Sequence, residues 1–153
     1  MPVPHNTPTE ATLDELATFC RRKGGRLTKQ RRAVLATLLS VKRPLSAYEI
    51  RDILHHAEPS LTPASVYRCL DFLLGYGLVH RLETTRAFVA CEHPDHPHAV
   101  QFLICRQCGA VVEAEDTRIA AAAESLGQRM GFSLDHHAVE LTGLCSDCQD
   151  GTN

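Results

Sequence analysis

The chain has 153 residues, 44% of them apolar, enough for one substantial core or two small ones of about 70 residues each. Its polar, proline-rich N-terminus lacks the apolar stretch of a secretory signal and no apolar run is long enough to span a membrane, so a cytoplasmic protein with reduced cysteines is expected. The formal net charge of −2 hides a division: residues 1–90 carry 13 Lys/Arg against 8 Asp/Glu, and residues 91–153 carry 3 against 10.

In the basic half, Thr12-x-x-Glu15 reads as a capping box that opens a helix with Leu13, Leu16, Ala17 and Cys20 at helical spacing, closed by Gly24-Gly25. Residues 21–32 then hold Arg21, Arg22, Lys23, Arg26, Lys29, Arg31 and Arg32 with no acid among them. Such a run is either a solvated helix face or a patch for phosphates. Thr28 is placed to cap a second helix bearing Val34, Leu35 and Leu38, which fades at Ser40 and stops by Pro44. Ser46-x-x-Glu49 is another capping box, before Ile50, Ile53 and Leu54.

Thr62 followed by Pro63 marks the start of a fourth helix, with proline where its missing N–H costs nothing. Val66, Leu70, Leu73 and Leu74 form its inward stripe, leaving Ala64, Ser65, Tyr67, Arg68 and Asp71 mostly facing away, and Gly75-Tyr76-Gly77 ends it. Residues 78–83 and 87–91 read as two strands of a hairpin turning at Thr84-Thr85-Arg86. Helices followed by a hairpin are the order of a winged helix-turn-helix, whose recognition helix enters the major groove. Cys20 and Cys69 fall on helix faces that predict buried thiols.

Pro94, Asp95 and Pro97 mark a polar hinge. Beyond it, 100–104 and 110–114 predict paired strands and 116–130 a helix with Ile119, Leu126 and Met130 available for packing. A last strand is expected over 133–141. The fold expected is α+β: a winged-helix domain over 1–90, a hinge over 91–99 and a small α/β domain over 100–153.

The acidic half holds the metal chemistry. Cys105/Cys108 and Cys145/Cys148 are two Cys-x-x-Cys pairs flanked by turn residues, and two such pairs complete a closed tetrahedral four-thiolate zinc site of structural type. Two disulfides are the alternative, disfavoured by an odd cysteine count and a reducing compartment. A second constellation gathers His80, Cys91, His93, His96 and His98, with Glu113 one strand later. Mixed N, S and O donors from separate elements make an adjustable site whose imidazoles compete with protons near neutral pH.

Four segments carry a resemblance: Arg26-Leu-Thr-Lys-Gln-Arg31, Pro63-Ala-Ser-Val-Tyr-Arg68, Phe102-Leu-Ile-Cys-Arg-Gln-Cys-Gly109 and Gly143-Leu-Cys-Ser-Asp-Cys148. Over residues 12–148 the chain resembles the ferric uptake regulator family of bacterial metal-dependent repressors, and within it the zinc uptake regulator branch. The resemblance implies a homodimer joined by the C-terminal domains that presents two winged helices to operator DNA. It also implies structural zinc on Cys105, Cys108, Cys145 and Cys148, and a regulatory site on His80, Cys91, His98 and Glu113, where His93 or His96 are alternative ligands. His136 and His137 are candidates for a third metal site. The thiolate of Cys91 favours zinc over Fe(II) and Mn(II), which suit carboxylate-rich sites.

On DNA, Arg68 and Tyr67 are expected to face bases, from the same helix surface as Ser65, while Tyr48, Arg26, Lys29 and Arg31 position the backbone. The expected function is therefore zinc-responsive repression of zinc-uptake genes, with neither a membrane nor a small-molecule substrate as partner. A sister regulator answering to Fe(II) or Mn(II) is the near alternative. A zinc-dependent enzyme is the distant one, since neither His-Glu-x-x-His nor the deaminase order of His-x-Glu and Pro-Cys-x-x-Cys occurs.

Overall fold

The computed structural model describes residues 8–41, 43–91, 93–94, 99–134 and 138–149. The chain divides into two compact units, Met1–Pro94 and Asp95–Asn153.

The first unit contains α1 (Glu10–Arg22), α2 (Lys29–Val41), α3 (Ala47–Leu54) and α4 (Pro63–Gly75), followed by the antiparallel hairpin of β1 (Val79–Leu82) and β2 (Ala87–Ala90). Its caps are those of the sequence, with one exception. At α3, Ser46 Oγ accepts from the Glu49 N–H at 3.2 Å while Glu49 Oε2 accepts from the Ser46 N–H at 2.8 Å, a complete capping box. At α4, Thr62 Oγ1 accepts from the Ser65 N–H with Pro63 at the first helical position.

The exception is α1, which starts earlier than Thr12. Thr9 is its N-cap, accepting from the Thr12 N–H at 3.2 Å, so the Thr12-x-x-Glu15 box does not form. The additional turn has a tertiary reason: Glu10 and Asp14 both pair with Arg32 of α2, at 2.5 and 2.9 Å.

Val34, Leu35, Leu38, Ile50, Val66, Leu70 and Leu73 are fully buried where the helices meet, and Cys20 and Cys69 are buried among them. Leu45, between α2 and α3, adds a bridge to the hairpin: its N–H and C=O exchange hydrogen bonds with Phe88 at 3.0 and 2.8 Å. The hairpin is thus fastened to the helix-turn-helix as the wing of a winged helix.

The second unit is a three-stranded sheet in the order β4-β3-β5, with α5 crossing over. β3 (Val100–Cys105) pairs antiparallel with β4 (Val111–Ala114) and parallel with β5 (Ala138–Gly143); α5 (Thr117–Arg129) supplies the long connection a parallel pair requires. Asp116 caps α5, accepting from the Arg118 N–H.

Two expectations change here. β5 begins at Ala138 rather than Ser133, because the chain after α5 folds back and lays Leu134 over Gly127, where a Cβ would come within 2.9 Å of the leucine. Leu126 and Met130, expected to pack, are exposed. So are Leu103, Val112 and Leu141, which lie opposite one another in register and form an apolar row across the sheet.

Candidate metal centres and nucleic-acid face

The sheet itself assembles the four cysteines. Cys105 ends β3 with its N–H on the Ala110 carbonyl at 2.8 Å, and the chain reverses through Arg106-Gln107-Cys108 to Gly109 at φ +75°, a left-handed conformation that glycine adopts without strain. The parallel register sets Gly143 beside Cys105, so the chain leaving β5 delivers Cys145 to the knuckle. Cys148 follows on α6 (Ser146–Gln149), a single turn that the sequence pattern does not announce; its N–H and that of Gln149 both return to the Cys145 carbonyl.

All four Sγ atoms lie within 4.8 Å of one another, and Cys108 and Cys145 approach to 3.7 Å. Tetrahedral zinc with Zn–S bonds of ~2.3 Å requires S···S edges of ~3.8 Å, so the donor set fits the ion. Electrostatics agree. The Cys108 and Cys145 N–H groups stabilise the Cys105 thiolate and bring its pKa down to about 6, whereas burial and the neighbouring sulfurs push Cys148 up to about 12. Four crowded sulfurs do not ionise together without a cation to balance them.

His80 and Cys91 meet on the wing. His80 is opposite Val89, and the Cys91 N–H bonds the Leu78 carbonyl at 2.9 Å, so His80 and Cys91 are diagonal neighbours on one face of the antiparallel pair. Their ligand atoms lie within 4.8 Å of each other, with Cys91 buried and His80 half-buried. Glu113 lies in the second unit, on β4 opposite Phe102, and is half-buried. His93 is exposed. His96, His98, His136 and His137 lie outside the described residues.

The face predicted for DNA is open. Tyr67 on α4 is 44% exposed, Tyr48 on α3 58%, and Arg68 and Arg26 are exposed as well. Arg68 is ordered: its Nη2 donates to Ser65 Oγ at 3.1 Å, and Ser65 Oγ lies 2.9 Å from Thr62 Oγ1, so the cap and the arginine form one chain of hydroxyl contacts. Lys29 pairs with Glu58 at 2.7 Å with its side chain 83% exposed.

Arg31 differs from the others. It is half-buried, its guanidinium carbon sits 3.7 Å from the centre of the Phe72 ring, and its Nη1 donates to the Arg26 carbonyl at 2.7 Å. The partners of these basic side chains, Glu58 and Phe72, were missed by sequence reasoning. For Phe72, the signal available was its i, i+4 spacing to Tyr76.

The ferric uptake regulator family model matches residues 22–142. The chain belongs to the ferric uptake regulator family. A zinc uptake regulation protein of Escherichia coli (strain K12) is 39% identical over 143 residues, which is 93% of this chain and 84% of that one. The peroxide-responsive repressor PerR of Staphylococcus saprophyticus is 32% identical, covering 92% of this chain and 94% of its own. Among solved structures of the family, a zinc uptake regulator complexed with zinc and DNA superimposes with a TM-score of 0.88 at 38% identity, covering 95% of this chain and 98% of that one. Members of this family are regulators of transcription. Among the described residues, no helix is long and apolar enough to cross a membrane.

Proposed function

We propose that this member of the ferric uptake regulator family is a zinc-responsive transcriptional repressor that binds operator DNA as a zinc-loaded homodimer and controls zinc-uptake genes from the cytoplasm. The observation that carries the reading is the thiol of Cys91 beside the imidazole of His80 on the wing. A thiolate and imidazole donor pair suits zinc, whereas Fe(II) and Mn(II) favour oxygen-rich sites. The 39% identity to the E. coli zinc uptake regulation protein and the likeness to a zinc- and DNA-bound zinc uptake regulator support the same reading.

In this reading residues 1–90 bind DNA, 91–99 are a hinge and 100–153 dimerise. The exposed apolar row of Leu103, Val112 and Leu141 supports association through the second domain, since a contiguous apolar face on a small domain calls for a partner. Cys105, Cys108, Cys145 and Cys148 hold a structural zinc. His80, Cys91, His98 and Glu113 hold the regulatory one, with His93 or His96 as substitutes for His98. No residue is assigned a catalytic role.

When bound, zinc supplies a cross-link among donors drawn from both domains and the hinge. His80 and Cys91 commit the wing to that cross-link, and His98 commits the hinge. Shifting a DNA-competent population from 1:99 to 99:1 needs roughly 5.5 kcal/mol of differential binding, well inside the range of a four-ligand zinc site. On DNA, Arg68 and Tyr67 read bases beside Ser65, and Tyr48, Arg26 and Lys29 hold phosphates with Arg31 behind them.

The test is fluorescence anisotropy with a duplex from upstream of zinc-transport genes, titrated across buffered free zinc with parallel Fe(II) and Mn(II) series. Tight binding at trace zinc alone is expected. An equal or better response to Fe(II) or Mn(II) would assign the chain to a sister branch instead.

A further inference from the structure

The loop between α1 and α2 is built against the end of the recognition helix. Gly24 takes φ +82°, and the Gly25 N–H returns to the Cys20 carbonyl at 2.8 Å, which brings the Gly25 backbone against the Tyr76 ring. A Cβ on Gly25 would lie 2.5 Å from the tyrosine hydroxyl oxygen and 2.6 Å from Cε1, so any larger residue there would displace the ring. Tyr76 in turn stacks on Phe72, with centroids 4.3 Å apart and planes 28° apart. The Arg31 guanidinium stacks on Phe72 and donates back to the carbonyl of Arg26, the residue after Gly25.

These contacts close a ring: Gly25 to Tyr76, Tyr76 to Phe72, Phe72 to Arg31, Arg31 to the Arg26 backbone. Burial raises the thiols of Cys20 on α1 and Cys69 on α4, and the positive charge of Arg31 acts on both in the opposite sense, as expected of a guanidinium lodged between these helices. A planar cation with one face on an aromatic ring and a nitrogen on a carbonyl is committed to packing. Arg26, whose backbone this ring holds, carries an exposed side chain.

We propose that Arg31 is a positioning residue for DNA binding: through the Phe72–Tyr76 stack and the Arg26 carbonyl it fixes the 24–28 loop on α4, so that Arg26 reaches a phosphate in register with the recognition helix. This rests on the reading of the chain as a DNA-binding repressor and assigns Arg31 a role through its shape rather than its charge. Lysine keeps the charge and loses the planar stack, which makes Arg31→Lys the decisive substitution.

The experiment measures zinc-loaded wild type, Arg31→Lys, Arg26→Ala, Tyr76→Leu and the Arg26→Ala/Arg31→Lys pair against a labelled duplex that the wild type has selected from a random pool. Affinity is followed across salt concentration, with far-UV circular dichroism and zinc content checked for each variant. Arg31→Lys, Arg26→Ala and Tyr76→Leu are each expected to weaken binding several-fold and to flatten the log K against log salt slope of the dimer by ~1.8, one phosphate contact per protomer. The pair is expected to flatten it no further.

A wild-type slope in Arg31→Lys would overturn the proposal, because Arg31 would then act by charge alone. So would a loss of two phosphates per protomer in the pair, which marks independent contacts. Should Arg31→Lys lose its fold, Tyr76→Leu decides by the same slope criterion. A wild type that selects no duplex with zinc present removes the DNA reading and this inference together, an outcome distinct from either slope result.

Discussion

Replacing Cys108 by serine should unfold the second domain selectively. Cys108 is exposed, so the change opens no cavity, and serine differs from cysteine only in the donor atom. What it removes is one of four sulfurs gathered within 4.8 Å. Within one protomer the domain has little else to rely on: its buried large apolar side chains among the described residues are Val100, Phe102 and Ile104, while Leu103, Val112, Leu126, Met130 and Leu141 are exposed. At about 1.5–3 kcal/mol for each buried side chain, those three supply roughly 5–9 kcal/mol before any chain entropy is subtracted. Apparent binding energies of structural zinc sites run to about 10–16 kcal/mol, so the metal stabilises the domain more than its apolar core does. Hydrogen exchange followed by mass spectrometry is the assay. Amides of β3 and β5 should lose protection in Cys108→Ser, while those of α2 and α4, around Val34, Leu35, Leu70 and Leu73, keep theirs. Wild-type protection of β3 and β5 in a zinc-free variant would refute the reasoning.

Cys91→Ser should abolish zinc-dependent DNA binding while leaving circular dichroism and one zinc per chain intact; a variant that still responds to zinc would remove Cys91 from the regulatory ligands. Arg68→Ala should weaken binding to the selected duplex by about 1–3 kcal/mol and relax the base preference at one position, as an anisotropy titration against single-base variants would reveal. Ser46→Ala should cost about 1 kcal/mol in urea unfolding, the usual loss for an N-cap. Glu49, across the same cap, is held below the ordinary glutamate range by the Ser46 N–H first and Arg43 second. Because its folded pKa is depressed, the stabilisation is complete above the unfolded value of ~4.3 and disappears as pH falls through the folded one. The difference in urea midpoint between wild type and Glu49→Gln should therefore be present at pH 7 and shrink towards zero in acid; a constant difference down to about pH 3, well below that unfolded value, would contradict it.

How much of this was legible in the sequence depends on how local its cause is. The Ser46 and Thr62 caps, the inward stripe of α4 and the two knuckles follow from neighbours within four residues, and the structure has them where periodicity and turn chemistry predict. The start of α1 was misread because its cause is distant: Arg32, on another helix, pairs with Glu10 and Asp14 and so extends α1 beyond Thr12. The Leu45–Phe88 bridge and the turn of Leu134 back over Gly127 were equally out of reach, since neither leaves a local pattern. The basic run of residues 21–32 shows the same limit from the other side. Sequence alone groups its arginines as one patch, whereas the fold gives Arg32 to α1, Arg31 to Phe72 and leaves Arg26 exposed.

The two sets of metal donors differ in the way their elements meet, and this bears on which of them can act as a sensor. Cys105 and Cys145 are brought together by hydrogen bonds of the β3–β5 ladder and by the Arg106 N–H on the Gly143 carbonyl at 2.9 Å, so the four-sulfur site is shaped by the same backbone contacts that define its domain. Filling it completes a fold, and releasing the ion would require the domain to unfold, which suits a site that stays occupied. His80 and Cys91 are also held on a ladder, with the wing fastened to the helices through Leu45 and Phe88, but they make only half of a four-coordinate set. The proposed remainder comes from the hinge and the second domain, so part of the binding energy is spent on ordering that connection. On this assignment occupancy there is expected to fall first as zinc becomes scarce, because the ordering of the connection is subtracted from the binding energy. A repressor that must retain its structure while losing its grip on DNA needs this inequality, and the proposed assembly of the two sites, one from a single domain and one across a hinge, would supply it.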